Sequence, residues 1–124
     1  MSCKSNEEHF ILVQSGNASL NEWRKQNPGA RLKLNGFQFQ GLAMGSLDLS
    51  DADLEGATFT GCKLSNAVFA NTNLEAASFF DCELQKTIFF DANLKNTSFR
   101  MLTLSAANFV SNSPFSGINH YTLN

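Results

Sequence analysis

From Leu34 onward every fifth residue is large and apolar, through sixteen consecutive steps that end at Phe109. A period of five suits neither an α-helix, which repeats every 3.6 residues, nor a flat strand, which repeats every two. It suits a chain that takes a short extended step, turns a corner and repeats. Two residues before each centre stands a second column, small from Ala52 onward except at Leu102. In extended chain, residues i and i−2 point the same way, so both columns face inward. Two residues after the centre, Gly, Asn, Asp or Ser occupies twelve of sixteen positions. These are the residues that tolerate positive φ at a corner.

Splitting the centres by twenties gives four nearly uniform columns: Leu34/Leu54/Leu74/Leu94, Phe39/Phe59/Phe79/Phe99, Met44/Leu64/Leu84/Leu104 and Leu49/Phe69/Phe89/Phe109. A period of ten explains the alternation equally well, so the test asks for an even number of sides. Two sides cannot enclose these side chains, which leaves four. The twelve Phe against one Tyr and one Trp fit an interior that is filled rather than wet.

Ala52-Asp53-Leu54, Ala57-Thr58-Phe59, Ala67-Val68-Phe69, Ala92-Asn93-Leu94 and Ala107-Asn108-Phe109 resemble the motif of the pentapeptide-repeat family, A-(D/N)-L-x-x or A-x-F-x-x. The likeness covers about two-thirds of the chain. It implies an all-β solenoid: a right-handed quadrilateral β-helix of about four coils, solid and about 19 Å tall at ~4.8 Å per rung. The expected organisation is a helical cap over residues 1–31, the β-helix over 32–113 and a C-terminal tail or cap over 114–124.

A stacked solenoid leaves an apolar layer and unpaired edges at each end, so it needs caps. Asn6-Glu7-Glu8 before His9-Phe10-Ile11-Leu12-Val13 reads as a short helix with a polar N-cap and acids in its first turn, ended by Gly16. Asn17 or Ser19 then caps a second helix carrying Leu20 and Trp23, which stops before Pro28-Gly29. The bulky first-coil flanks Leu32, Phe37, Leu42 and Leu47 are expected to fill the seam beneath. After Phe109 the period fails at Pro114, and three readings of the tail stay open: a cap on the last coil, a dimer contact or partial disorder. The resemblance supports the second, because the family often associates through that end.

Composition removes several function classes. Nine Lys+Arg against eleven Asp+Glu exclude a strongly basic nucleic-acid binder. No apolar run approaches the ~20 residues of a membrane span, and the N-terminus lacks a signal-peptide pattern, so a cytoplasmic protein without membrane contact is expected. Cys3, Cys62 and Cys82 show no CxxC spacing. Cys62 and Cys82, one coil apart, should stack inside as small buried thiols. His9 and His120 lie one in each cap with no partner at ligand spacing. No catalytic, cofactor-binding or metal-binding residue is identified, and the chain is read as a non-enzyme.

The outer surface remains. On the Leu34, Phe39 and Met44 faces the residues flanking each centre are polar or small, Phe80 excepted. On the Leu49 face Val68, Ala70, Ile88, Phe90 and Val110 line up as one apolar strip. Clustered exposed apolar residues mark contact sites more often than scattered ones do. The expectation is a non-catalytic interaction or scaffold module with an unidentified protein partner, a homodimer through the C-terminal end or the apolar face staying open. The resemblance also supplies an alternative, because some family members mimic DNA and act on DNA gyrase. Against it, the repeat region holds eight acids and five bases, a net −3. Duplex DNA of the same height carries about eleven charges.

Overall fold

The computed structural model describes residues 2–102 and 120–123. Two helices, α1 (Ser2–Ser15) and α2 (Asn17–Gln26), precede four short strands set twenty residues apart: β1 (Gln38–Gln40), β2 (Thr58–Thr60), β3 (Ser78–Phe80) and β4 (Ser98–Leu102). A fifth, β5 (His120–Leu123), pairs with β4. All pairings are parallel in the order β1-β2-β3-β4-β5, with Phe39, Phe59, Phe79 and Phe99 in register.

The other three walls repeat the same twenty-residue step. Parallel bridges run Lys33–Asp53–Asn73–Asn93, Ala43–Lys63–Glu83 and Asp48–Val68–Ile88. The coil is therefore a right-handed quadrilateral β-helix capped by a helical pair. In chain order the walls are those of Leu34, Phe39, Met44 and Leu49, so the Phe39 and Leu49 walls stand opposite each other.

Each described corner, from Gly36 to Met101 in steps of five, has φ between 56° and 75°. Corners leaving the Leu34 and Met44 walls are closed by an N–H three residues on, as in Phe37 N to Leu34 O at 3.2 Å and Leu47 N to Met44 O at 3.3 Å. Such a turn needs positive φ at its third residue. Gly36 and Gly56 meet that need without strain, and Gly41 and Gly61 take positive φ at the corners of the Phe39 wall. Ala76, Lys86 and Met101 adopt the same conformation, although a Cβ disfavours it by roughly 1–2 kcal/mol. At Ala76 the corner N–H also donates to Lys95 O on the next coil at 2.9 Å, which holds the corner in place.

The interior is packed throughout its described length. Phe39, Phe59, Phe69, Phe79, Phe89 and Phe99 are all at most 1% exposed. Rings in one column stack nearly parallel, 4.7 Å apart for Phe39–Phe59 and Phe59–Phe79. Rings in adjoining columns meet edge to face, as Phe59 and Phe69 do at 5.8 Å and 81°. Both arrangements suit the ring quadrupole. The small inward column adds polar fastening. Thr87 Oγ1 donates to Leu64 O and Thr97 Oγ1 to Leu74 O, each at 2.8 Å.

Cys62 and Cys82 are buried free thiols in that column, as expected, and their sulfurs lie 3.3 Å from Phe39 O and Phe59 O. The contact with the Cys62 sulfur, together with burial, pushes the Cys82 thiol up from its ordinary value.

The helical cap departs from expectation in two details. Helix α1 begins at Ser2, so Glu7 and Glu8 lie in its body and its first turn holds no acid. Helix α2 is capped by Gly16, at φ 96°, and makes no side-chain cap hydrogen bond. Asn17 is diverted instead to the first coil: its Nδ2 donates to Ser46 O and its Oδ1 accepts from Asp48 N, both at 2.8 Å. The seam fills as expected, with Leu32 and Leu47 buried, Phe37 and Leu42 partly so. Phe10 stacks on Phe37 at 5.2 Å.

Candidate interaction surface

The first coil has no rung beneath it, and side chains from the cap satisfy its open edge. Lys33 N donates to His9 Nδ1 at 2.8 Å. Arg24 Nη2 donates to Asp48 O at 2.8 Å and to Ser50 O at 3.3 Å, and Arg31 Nη1 to Asp51 O at 3.4 Å. With Asn17, these groups stand in for the missing rung. Burial, as the largest influence, holds the His9 imidazole below its ordinary value, opposed by Glu8 and aided by Lys33. A neutral ring is what an acceptor at Nδ1 requires.

A crevice of about 300 Å³ lies at this seam, lined by Trp23, Arg24, Asn27, Arg31 and Asp51 among others. Its two guanidiniums are already engaged with first-coil carbonyls, and the Asp48 carboxylate lies 3.7 Å from Arg24 Nη1. Among the described residues no group of three or more His, Cys, Asp or Glu side chains is placed to hold a metal ion. No helix is long and apolar enough to cross a membrane, again among the described residues.

The Leu49 wall is the candidate site. Val68 and Ile88 pair directly one rung apart. Phe69 N donates to Ile88 O at 2.7 Å and Asn71 N to Phe90 O at 2.9 Å, which locks the two rungs together. Alternation along the strand then decides which side chains face out. Phe69 and Phe89 are fully buried, whereas Val68, Ala70 and Ile88 are half-buried and Phe90 is 39% exposed. The structure thus brings four of the five expected strip residues together; Val110 lies outside the described residues. Phe80, 44% exposed, stands on the opposite wall.

Below the strip the wall turns polar. The Asp48 carboxylate accepts from Ser50 Oγ at 2.6 Å and from Ser50 N at 3.0 Å. It also lies 3.7 Å from Arg24 Nη1. The strip is flanked by two exposed corner residues, Lys86 where the chain enters the wall and Asp91 where it leaves. Sequence reasoning placed Asp91 at a corner and counted Lys86 only among the charges of the repeat region. Their place beside the strip follows from the register, five residues apart across one wall.

A family model described as a pentapeptide repeat region matches residues 32–109. Among solved structures, the chain is similar to a pentapeptide repeat protein from the cyanobacterium Cyanothece 51142, at 20% identity and a TM-score of 0.60. That match covers 79% of this chain and 68% of the other. It is also similar to trypsin-treated QnrB1, a plasmid-mediated fluoroquinolone resistance protein, at 20% identity and a TM-score of 0.48, with 77% and 76% covered. A pentapeptide repeat protein of the Arabidopsis thaliana thylakoid lumen gives 24% identity and a TM-score of 0.39, with 60% and 48% covered. None of the curated proteins matches the chain.

Proposed function

The chain belongs to the pentapeptide-repeat family, and from that premise we propose that it is a non-catalytic interaction module that uses the Leu49 wall to engage a protein partner. One observation carries the reading: Val68, Ala70, Ile88 and Phe90 form a contiguous apolar patch on a solenoid whose other walls are mainly polar. A packed interior puts substrate-sized space out of reach and leaves the outer walls to do the work. Contact surfaces with an apolar centre and a polar rim are the common form of protein interfaces. The charged corners Lys86 and Asp91 supply such a rim.

Acting as a DNA mimic is a poorer fit. A net −3 over the repeats is well below the charge of an equally long duplex, and the candidate wall is apolar at its centre.

The test compares Phe90→Asp with Phe80→Asp, an equivalent change on the opposite wall. Binding to a defined protein partner that is lost with Phe90→Asp and kept with Phe80→Asp supports the reading, provided circular dichroism shows both variants folded. Equal effects of the two variants would refute it. Inhibition of gyrase supercoiling by the wild-type protein would replace it with the mimic.

A further inference from the structure

We propose that the occupant of the Leu49 wall is a second copy of this chain, docked wall to wall about a two-fold axis parallel to the solenoid axis. The proposal rests on reading that wall as an interaction surface, and it names the partner and its orientation.

The argument is one of self-complementarity. In a two-fold contact, if residue i meets residue j, then j meets i. With the axis parallel to the solenoid and lying in the interface, the two subunits keep the same direction and their lateral edges exchange. The corner where one chain enters its wall then faces the corner where the other leaves, at nearly the same height. Lys86 comes opposite the partner subunit's Asp91, and Asp91 opposite the partner subunit's Lys86. Neither residue has an ion-pair partner within its own chain among the described residues.

The same exchange sets Ile88 against the partner subunit's Phe90 and Val68 against the partner subunit's Ala70. Apolar groups thereby meet apolar groups on both rungs. On the polar rung beneath, Asp48 falls opposite the partner subunit's Ser50, and Arg24 already offsets the Asp48 charge. An antiparallel docking does not do this. It keeps each corner column against its own kind, so Lys86 never meets Asp91 at any height.

One wall of short rungs is small beside the ~800 Å² per partner of a standard interface. The dimer is therefore of the weak, reversible class, in which charge complementarity sets orientation.

Sedimentation velocity from about 10 µM to about 1 mM covers that class. The wild-type protein is expected to pass from monomer to dimer within this range. Lys86→Asp alone and Asp91→Lys alone, each setting like charges face to face, are expected to weaken the dimer by about tenfold. The double exchange Lys86→Asp/Asp91→Lys is expected to restore it. Both positions accept the change, since Asp and Lys already occupy such corners at φ 57° and 61°.

A monomer throughout the range overturns the homodimer; if a different protein still binds in a Phe90-dependent manner, the reading of the wall survives. A dimer that the double exchange fails to rescue overturns the parallel arrangement. A dimer insensitive to Phe90→Asp overturns the homodimer on this wall, and the use of the wall is then overturned only if no other protein binds in a Phe90-dependent manner.

Discussion

His9 Nδ1 accepts a 2.8 Å hydrogen bond from the backbone N–H of Lys33, so a side chain of the helical cap completes the open edge of the first coil. Protonating that nitrogen turns the acceptor into a donor facing a donor. Because burial depresses the folded-state value below the ordinary 6.5, the unfolded chain takes up the proton first. The stabilisation is present above pH 6.5 and is lost as pH falls through that value toward the lower folded one. Urea unfolding from pH 8 to pH 5 should show the midpoint dropping in this window for the wild type. His9→Gln, which cannot titrate, should remove that component.

Asn17 makes the second such bridge, with one 2.8 Å bond to Ser46 O and one from Asp48 N. Asn17→Ala removes both and should cost about 1–2 kcal/mol. Trp23, packed between α2 and the core, reports the event. Its fluorescence should change at lower urea in the variant than in the wild type.

Ala76 holds a corner at φ 61°, a conformation that costs an alanine roughly 1–2 kcal/mol. Gly56 fills the same corner one coil below at φ 69°. Ala76→Gly relieves the strain but frees the unfolded chain by about 0.4–1 kcal/mol. The net expectation is a gain of about 0.5–1 kcal/mol, visible as a higher melting temperature.

Thr87 donates its buried hydroxyl to Leu64 O at 2.8 Å, and that carbonyl also accepts from Ala67 N at 3.0 Å. Thr87→Val keeps the shape and loses only the hydroxyl bond, while Ala67 keeps the carbonyl satisfied. The expected loss is about 1 kcal/mol. It should appear as a lower urea midpoint with an unchanged slope.

The coil was legible because one spacing carries both its inward and corner positions. Phe39, Phe59, Phe79 and Phe99 fell into one column by arithmetic and pair in register. The exposure of Phe90 beside buried Phe89 follows from the same alternation. The cap was less legible, because its details depend on contacts far apart in the chain. Asn17 is a good local N-cap, yet Ser46 and Asp48, about thirty residues on, claim its side chain. The corner role of Lys86 was hidden by chemistry unsuited to positive φ, and its place across one wall from Asp91 is visible only once the coil is closed.

Chemical denaturation of Phe89→Ala and Phe90→Ala, measured side by side, tests the central claim most directly. The two residues are neighbours in sequence, one 0% and the other 39% exposed. If the square coil is plugged by every fifth side chain and works through its outer wall, Phe89→Ala loses about 3–5 kcal/mol. Phe90→Ala should then stay within about 0.5 kcal/mol of the wild type. Equal losses, or a greater loss at Phe90, would contradict it.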